Sequence, residues 1–351
     1  MSAKRLSIIL LFSIILGSTR ASAISFELDS IASWGKFPAF CIKTYRWGDS
    51  FFNGFDTTYV KPTGYRMNVK LRTDNWIDSY TFRMSDDAEM YMRTNPSTSL
   101  GIWVSYMALS VGYDVNLSKY YKGANDVRKR FNFQFNCSLF AASLSYSNST
   151  TDNTIKKIIY RDEKYPADIH VPGMNSRTLL FDAYYFLNHH KYSFAAAYSF
   201  GRIQKKSAGS FFFGFSYWNQ RYDFDFSSLP PDVLHILPDN WENDTYKVRS
   251  KNYGIKAGYA YNWAIGQHWL LAISESPTLG IKRGYINTNS KKNTSLGLSN
   301  SLRLSVVWNN GHFFAGAIGH IRSTLIYDKL HTLVTNVANL EISAGYRFNL
   351  W

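Results

Sequence analysis

The sequence predicts an all-β protein, a transmembrane antiparallel up-and-down β-barrel of about 12–14 strands. Segments of roughly ten residues alternate between apolar and polar side chains, which is the pattern of strands that meet lipid on one face. Aromatic residues make up 17% of the chain, with 25 Tyr, 25 Phe and 10 Trp, as in the aromatic girdles of membrane barrels. A Tyr-rich soluble β-sandwich is the alternative.

The first 23 residues have the pattern of a secretory signal peptide. Lys4 and Arg5 precede the apolar stretch 6–16, and Ala21, Ser22 and Ala23 supply the small residues of a cleavage site. We expect cleavage after Ala23. The apolar stretch is shorter than the roughly 20 residues that a membrane anchor needs, and later residues contain no run of about 18 apolar residues.

Residues 24–63 do not alternate, and we predict a short, partly helical periplasmic lead-in there. Ile31, Trp34 and Phe37 recur at loosely helical spacing. This segment is too short to be an independent domain. Residues 64–351 are predicted to form the outer-membrane barrel.

The barrel segment contains fourteen candidate strands. The first alternates Tyr65, Met67, Val69 and Leu71 with polar residues. In order, the candidates are 65–72, 77–85, 98–105, 107–116, 129–137, 139–148, 177–187, 191–200, 210–222, 252–264, 268–283, 295–308, 312–326 and 338–350. The alternation of short turns and long loops fails around 85–98 and 201–209, so strands can be gained or lost at those places.

Turn residues and polar segments separate the candidates. We predict tight turns at 188–190, 265–267 and 309–311 from their length and residue type. Longer polar segments at about 117–128, 149–176, 223–251 and 284–294 are predicted to be extracellular loops. The last candidate strand is rich in aromatic residues, and the chain continues to Trp351. That ending resembles the signal that the barrel-assembly machinery reads, and we expect this machinery to be a partner during insertion.

The positive net charge of the chain indicates which anionic partners it can bind. Removal of the signal peptide lowers the formal net charge from +14 to +11, but an export signal argues against nucleic acid as the partner. The basic runs 128–130 and 205–206 lie near predicted strand ends, where they fit the phosphates of lipopolysaccharide or other outer-membrane lipids.

No residue pattern points to catalysis, a metal or a cofactor. The eight His residues lie mostly in turns, in loops or at strand starts, and only His320 is within a predicted strand. No Gly-x-Ser-x-Gly motif and no His-x-Ser pair on one strand face is present, so we predict no enzyme, no metal site and no cofactor. Cys41 and Cys137 can be bridged or unpaired.

Basic residues predominate on the predicted inward face of the barrel. Rings of Arg and Lys favour anions in pores, whereas the same charges are structural if they pair and fill the lumen. The predicted lumen residues are Arg66, Lys70, Arg72, Lys256, Arg303 and Arg347.

Four strings of residues carry a resemblance to a known family. They are GFDTTYV at 54–60, VKLRTDNW at 69–76, QKKSAGSFFFGFSY at 204–217 and AGYAYNW at 257–263. In their order they resemble an outer-membrane barrel family of Bacteroides-type bacteria, the domain of unknown function 4421. The resemblance covers about residues 53–351 and implies a barrel in the bacterial outer membrane, without an activity.

Three functional classes follow from these observations. The first is an outer-membrane barrel with a structural, porin-like channel or ligand-binding role that passes or binds anionic solutes. The second is an accessory barrel of a secretion or surface-assembly complex, with an unidentified protein partner. The third is a lipid-modifying barrel enzyme, for which the sequence offers no recognisable active group.

Overall fold

A computed structural model describes residues 53–84, 88–118, 127–225, 245–285, 293–327 and 331–349, together with positions 39 and 43. The predicted signal peptide with Ala23, most of the predicted lead-in, Cys41 and Trp351 lie outside the described residues. The β-structure belongs to one compact unit, Phe52–Asn349. In the part of the chain that is described, no helix is long and apolar enough to cross a membrane.

Fifteen strands and one short helix, α1 (Phe194–Tyr198), occur among the described residues. The strands are β1 (Val60–Pro62), β2 (Met67–Met84), β3 (Ala88–Thr94), β4 (Ser97–Tyr106), β5 (Leu109–Asn116), β6 (Val127–Asn136), β7 (Phe140–Tyr160), β8 (Glu163–Phe186), β9 (Arg202–Gln204), β10 (Ala208–Asp225), β11 (Thr245–Ile265), β12 (Trp269–Tyr285), β13 (Asn293–Asn309), β14 (Phe313–Tyr327) and β15 (His331–Phe348).

Twelve of these strands form a closed antiparallel ring. Neighbours in the ring are β2, β4, β5, β6, β7, β8, β10, β11, β12, β13, β14 and β15, and β15 pairs with β2 to close it. Among the described residues of this ring, closure leaves no unpaired edge strand. The predicted barrel class is therefore confirmed, and the even strand number lies within the predicted range.

The strands that neighbour β2 differ between the two ends of the ring. We call the end of the ring at Met67 of β2 the turn end and the end at Met84 of β2 the loop end. β2 pairs with β4 near the turn end and with β3 near the loop end. β3 also pairs with the distal part of β7, while β5 and β6 form a shorter hairpin between β4 and β7 below it. The irregularity expected at 85–98 is thus the break between β3 and β4.

Three sequence expectations were wrong in detail. Candidates 65–72 and 77–85 are one strand, β2. The predicted loop 149–176 is instead the hairpin of β7 and β8, which turns at Arg161 and Asp162 with positive φ angles of 50° and 65°. The Ser, Thr and Asn residues of this hairpin lack the alternation of apolar and polar side chains, so the segment resembles a loop in the sequence. Strands that extend beyond an apolar belt need no apolar outer face.

The third error concerns candidate strand 191–200, which forms α1 and its flanking loops inside the ring. All five α1 residues are buried, so the segment lacks the alternating exposure of a barrel strand. The helix begins after Ser193, whose side chain accepts a hydrogen bond from the Ala196 N–H. The predicted tight turn at 188–190 is consequently the start of a longer connection from β8 to β10. The turns at 265–267 and 309–311 are confirmed, with Gly266 and Gly311 at positive φ.

Candidate functional site

The inner face of β2 passes through three chemically different layers. From the turn end it presents Lys70 and Arg72, then Asp74, Trp76 and Asp78, and finally Tyr80 and Phe82, and each of these side chains is buried. Leu71, between the first two, is 57% exposed. Successive strand residues point to opposite faces, so the buried set faces the barrel interior. The interior has charged groups in its middle and apolar groups at the loop end.

The turn end is filled by a segment that enters the ring between β8 and β10. We call residues 187–207 the plug. Plug residues pack against wall residues of seven ring strands in one apolar cluster, the lower apolar cluster. Its members are Ala141, Tyr184, Phe186, Tyr192, Phe194, Ala196, Ala197, Tyr198, Phe200, Ala208, Phe212, Ala260, Leu270, Ala272, Val307 and Phe314.

Hydrogen bonds fix the plug to the wall and to the segment before the barrel. Gln204 accepts from the Ser193 N–H at 3.0 Å and from Asn262 Nδ2 at 3.1 Å, and its amide donates to the Lys191 carbonyl at 2.6 Å. β9 of the plug pairs with β1. The Arg347 guanidinium of β15 donates to the Phe200 carbonyl and stacks on Phe314, with 4.3 Å from Cζ to the ring centroid. The plug is therefore an ordered part of the barrel.

The loop end is filled by side chains of the wall itself. Eight strands, β2, β3, β7, β8, β10, β11, β14 and β15, contribute to the upper apolar cluster. Its members are Tyr80, Phe82, Ala88, Met90, Met92, Ile155, Ile158, Val171, Met174, Tyr222, Val248, Ile326 and Leu333. Apolar side chains that occupy the lumen exclude water and hydrated ions from this layer.

Two ion-pair networks lie between the apolar clusters. In the first, Glu341 accepts from Lys70 Nζ at 2.8 Å and from Arg72 Nη1 at 2.7 Å. Arg72 Nε also donates to Asp114 Oδ1 at 2.8 Å. The network connects β15, β2 and β5, and Arg130 of β6 pairs with Asp74 beside it.

The second network centres on Asp182 of β8. Its carboxylate pairs with Lys256 of β11, accepts from Ser216 Oγ at 2.6 Å and pairs with Arg322 Nη2 of β14 at 2.7 Å. The Asp182 side chain is 1% exposed. A buried carboxylate with two cationic donors is compensated, so this network braces the wall across the lumen.

A cavity of about 230 Å³ lies beside these networks. Its lining includes four guanidinium groups and two carboxylates, and Trp218, Tyr80 and Tyr222 supply aromatic surface. We call this cavity the chamber. The charged lining residues are Arg128, Arg130, Arg303, Arg322, Asp78 and Asp182.

Several buried polar atoms around the chamber have no hydrogen-bond partner among the described residues. They are Nε and Nη1 of Arg128, Oδ1 of Asp78, Nε1 of Trp218 and Oε1 of Gln220. Arg128 stacks on Trp76, with 4.3 Å from Cζ to the ring centroid, and its Nη2 lies 3.6 Å from Asp78. Buried polar atoms normally have partners, so these donors and acceptors identify the chamber as a candidate binding site.

The structure distributes the predicted lumen residues as follows. Lys70, Arg72, Lys256 and Arg347 are buried, and Arg303 donates to the Tyr184 hydroxyl at 2.9 Å. Within the described chain, Arg303 has no carboxylate within 4 Å. These five residues face the interior, but they belong to different layers and only Arg303 lines the chamber.

Arg66 differs from this set because it is exposed and precedes β2. The register of β2 with β15 begins with Met67 opposite Phe348, so Arg66 lies beyond the last paired residue at the turn end. It is not a residue of the buried interior.

Two inward residues of the basic run 128–130 were missed as site residues. The side chains of Arg128 and Arg130 are 9% and 16% exposed, whereas Lys129 between them is exposed. The signal was available, because alternate residues of a strand face opposite sides. Its place near a predicted strand end instead favours a rim position in the sequence.

A second missed feature is a contact between adjacent strands. Ser301 Oγ of β13 lies 2.8 Å from His320 Nε2 of β14. A His-x-Ser pattern would place both residues on one strand, whereas this pair depends on the register of β13 with β14, which places Arg303 opposite His320. Among the described residues, no group of three or more His, Cys, Asp or Glu side chains is placed to hold a metal ion.

The outer face of the ring is apolar over its middle height. Exposed residues such as Ile102, Phe211, Ile255, Leu279 and Leu340 contribute to it. Aromatic pairs occur on the same face, with ring centroids of Phe211 and Tyr259 4.8 Å apart and those of Phe313 and Tyr346 5.0 Å apart. An exposed apolar surface that follows the strands of a closed ring matches the lipid-facing band of membrane barrels.

A family model described as a domain of unknown function (DUF4421) matches residues 55–348. The comparison with curated proteins finds no match.

Solved structures with a similar fold include outer-membrane barrels. The outer membrane protease OmpT from Escherichia coli is 8% identical, with 84% of this chain and 100% of that chain covered and a TM-score of 0.37. The translocator domain of autotransporter NalP from Neisseria meningitidis is 11% identical, with 81% and 89% covered and a TM-score of 0.40. OprG from Pseudomonas aeruginosa is 10% identical, with 82% and 100% covered and a TM-score of 0.26. These values are too low to transfer a property to this chain.

Proposed function

The chain belongs to the DUF4421 family, whose function is unknown, and on that premise we propose that it is an outer-membrane barrel that binds a compact anionic solute in a closed lumen. The observation that carries the proposal is the chamber, which lies between two apolar clusters and has unpaired guanidinium nitrogens in its lining.

The outer-membrane location is supported by the ring and its outer face. A closed antiparallel sheet satisfies its backbone hydrogen bonds internally, as hydrocarbon requires. The apolar band then faces lipid. The turn end lies toward the periplasm and the loop end lies toward the cell exterior. The predicted signal peptide fits the same route.

A binding role is favoured over an open channel. The lower apolar cluster fills the turn end, the upper apolar cluster fills the loop end, and two ion-pair networks lie between them. An ion that crossed this interior would lose its hydration shell in two apolar layers. The chamber is also smaller than the roughly 300–1,000 Å³ of common ligand pockets, which limits the ligand to a compact molecule.

The preference for an anion follows from the charges of the lining. Arg128 has two nitrogens without a hydrogen-bond partner among the described residues, and its Nη2 lies 3.6 Å from Asp78. The Arg303 side chain donates a hydrogen bond to the Tyr184 hydroxyl and lies over the rings of Tyr184 and Phe194. Guanidinium groups bind carboxylates and phosphates through charge-assisted hydrogen bonds. The unpaired oxygens of Asp78 and Gln220 accept hydrogen bonds, so hydroxyl groups on the same solute add to its binding.

The test uses D-glucuronate as a probe with one carboxylate and several hydroxyls, and D-glucose as its neutral counterpart. Calorimetry on the folded barrel in detergent is expected to detect glucuronate and not glucose. Arg128→Gln is expected to weaken glucuronate binding at least about tenfold, since a charge-assisted hydrogen bond contributes about 1.5–3 kcal/mol.

Arg93→Gln is the matched control, because it removes the same charge from an exposed residue of β3 that lines neither the chamber nor another basic cluster. It should leave glucuronate binding unchanged. Equal affinity for glucuronate and glucose, or equal loss in the two variants, would contradict an anion site in the chamber. The barrel fold of each variant is checked by its heat-dependent mobility in gels.

We further propose that the Ser301–His320 pair is structural and that the protein is not an enzyme. A general base must hold a proton during the reaction, and Arg303 is directly opposite His320 on β13 while Arg322 is two residues along β14. Both guanidinium groups would repel the positive charge of an imidazolium formed during the reaction. A fluorophosphonate probe should therefore not label the protein, and labelling that Ser301→Ala abolishes would refute this assignment.

A further inference from the structure

A band of basic residues crosses the outer face of the barrel near the loop end. Strand register places Lys129 opposite Asn148, Asn148 opposite Arg177, Arg177 opposite Arg221 and Arg221 opposite Arg249. The row thus runs over five consecutive ring strands, β6, β7, β8, β10 and β11. One row closer to the turn end, Lys251 is opposite Arg283. We call this set the basic band: Lys129, Arg177, Arg221, Arg249, Lys251 and Arg283.

The arginines of the band are neighbours of like charge. Arg177, Arg221 and Arg249 occupy directly opposed positions on three adjacent strands, where side chains start only about 5 Å apart. Like charges at opposed positions destabilise a sheet. Asp223 pairs with Arg249 at 2.5 Å, whereas Arg177 and Arg221 have no carboxylate within 4 Å in the described chain. Their proximity is stabilised when an anion binds between them.

A groove is present at this place. It has a volume of about 380 Å³ and is lined by the three arginines together with Asn148, Thr150, Asn175, Ser176 and Asp223. Backbone carbonyls of Tyr222 and Val248 each accept from Arg249 Nη1 at 3.0 Å, which holds this guanidinium in place. Arginine forks and amide donors around a groove match the acceptors of a phosphate group.

The position of the band indicates where the phosphate comes from. Two rows closer to the turn end, the outer face becomes apolar, with Tyr217 opposite Tyr253 and Tyr253 opposite Ile281. Successive rows on one face are about 7 Å apart along a strand. The arginine row therefore lies about 14 Å from this aromatic row along the strand, at the level where lipid headgroups follow the hydrocarbon.

We infer that the basic band is a binding site for the phosphates of a phosphorylated glycolipid in the outer leaflet, with its acyl chains along the apolar face below. The inference rests on the proposed membrane location and is independent of the chamber. A lipid is favoured over a free phosphate ion because the groove opens on the lipid-facing side and adjoins the apolar surface.

The test compares one lipid in two forms, lipid A with its phosphates and the same lipid after enzymatic dephosphorylation. Native mass spectrometry of the detergent-solubilised barrel counts the bound molecules. We expect the phosphorylated lipid to bind at least about tenfold more tightly, since even one charge-assisted hydrogen bond is sufficient for that ratio. Arg177→Gln/Arg221→Gln should abolish the preference, and these residues have no partners in the described chain whose loss would affect folding.

The control variant is Arg93→Gln/Lys164→Gln, which removes two exposed cations from β3 and β8 outside the band. It should retain the preference. Equal binding of the two lipid forms, or equal loss in both variants, would overturn the inference. Displacement of the lipid by millimolar inorganic phosphate would also overturn it, because the site would then bind a free anion. Failure of the membrane location would appear separately, as absence of the protein from outer-membrane fractions.

Discussion

The two ends of the barrel interior are both closed by apolar side chains, but the chain closes them by different means. At the turn end, a connecting segment of about twenty residues, the plug 187–207, folds back into the ring and is held by Gln204, Asn262 and Arg347. At the loop end, the wall strands project their own side chains, such as Phe82 and Leu333, into the lumen. The plug can move without breaking a strand pair of the ring, whereas the upper apolar cluster cannot be removed without altering the wall.

The difference indicates how a solute reaches the chamber. A segment that packs on the wall opens at a lower free energy than the ring, because it breaks fewer contacts. The turn end is therefore the side on which exchange with the chamber is expected. The upper apolar cluster is expected to stay closed, because its side chains belong to the strands of the wall.

The largest expected effect comes from opening both ends. Asn188 Nδ2 donates to the Gly209 carbonyl at 2.8 Å, so the plug can be deleted by replacing residues 189–208 with Asn-Gly. The upper apolar cluster can be reduced with Phe82→Ala/Met90→Ala/Tyr222→Ala. Each change alone should leave a planar bilayer silent, since the other closure remains. Their combination should give discrete current steps with anion preference, because guanidinium groups then line the opening.

Current from the plug deletion alone would show that the upper apolar cluster does not close the lumen. Current from the cluster variant alone would show the same for the plug. In both cases the heat-dependent gel mobility shows that the ring is intact.

Substitutions that create a cavity in the plug or in the upper apolar cluster should have similar effects on stability but different effects on local trypsin sensitivity. Phe200→Ala and Phe82→Ala each remove a fully buried ring and are expected to lower the free energy of unfolding by about 3–5 kcal/mol. Only Phe200→Ala should also loosen the plug, where Lys205 and Lys206 are exposed to trypsin. Limited trypsin digestion then cleaves Phe200→Ala faster than Phe82→Ala, and equal cleavage rates would remove the distinction between a local segment and the wall.

We expect the buried carboxylate of Asp182 to contribute more to the free energy of unfolding than an exposed carboxylate does. Asp182→Ala leaves Lys256 and Arg322 without their shared partner, which costs about 3–5 kcal/mol of unfolding free energy. Asp168→Ala breaks an exposed pair with Lys156 in the hairpin of β7 and β8 and should cost about 0–1 kcal/mol. Urea unfolding of the two variants under one condition makes the comparison, and similar losses would mean that the interior is hydrated.

A smaller effect is expected where the plug meets the wall. Arg347→Lys keeps the charge but removes the fork that reaches the Phe200 and Gly311 carbonyls and Asn309. Loss of these hydrogen bonds should cost about 1–3 kcal/mol. Arg66→Lys is the control on an exposed residue near the same end. If both variants unfold at the same urea concentration, Arg347 does not secure the plug.

The sequence predicted the ring because each wall strand carries its own alternation. Fourteen candidates became twelve wall strands when 65–72 and 77–85 proved continuous and 191–200 proved to be plug. The plug could not be predicted because Phe194–Tyr198 is a short apolar run, which fits a buried strand as well as a buried helix. The hairpin of β7 and β8 was missed because its outer face is polar beyond the apolar band.

The chamber was only partly accessible from sequence. Inward basic residues such as Lys70 and Arg72 were identified from alternation, but their partners Glu341 and Asp114 lie on other strands. Pairings of this kind depend on strand order and register, which a single sequence does not contain. The apolar character of the upper lumen was likewise hidden, since apolar residues on a barrel strand are first assigned to lipid.

The most direct test of the closed interior is single-channel recording of the wild-type barrel, refolded and inserted in a planar bilayer, at several salt concentrations. We expect no current steps, while the same preparation binds glucuronate in solution. A steady ohmic current in the wild-type protein would contradict the account, because ions would then cross both apolar clusters.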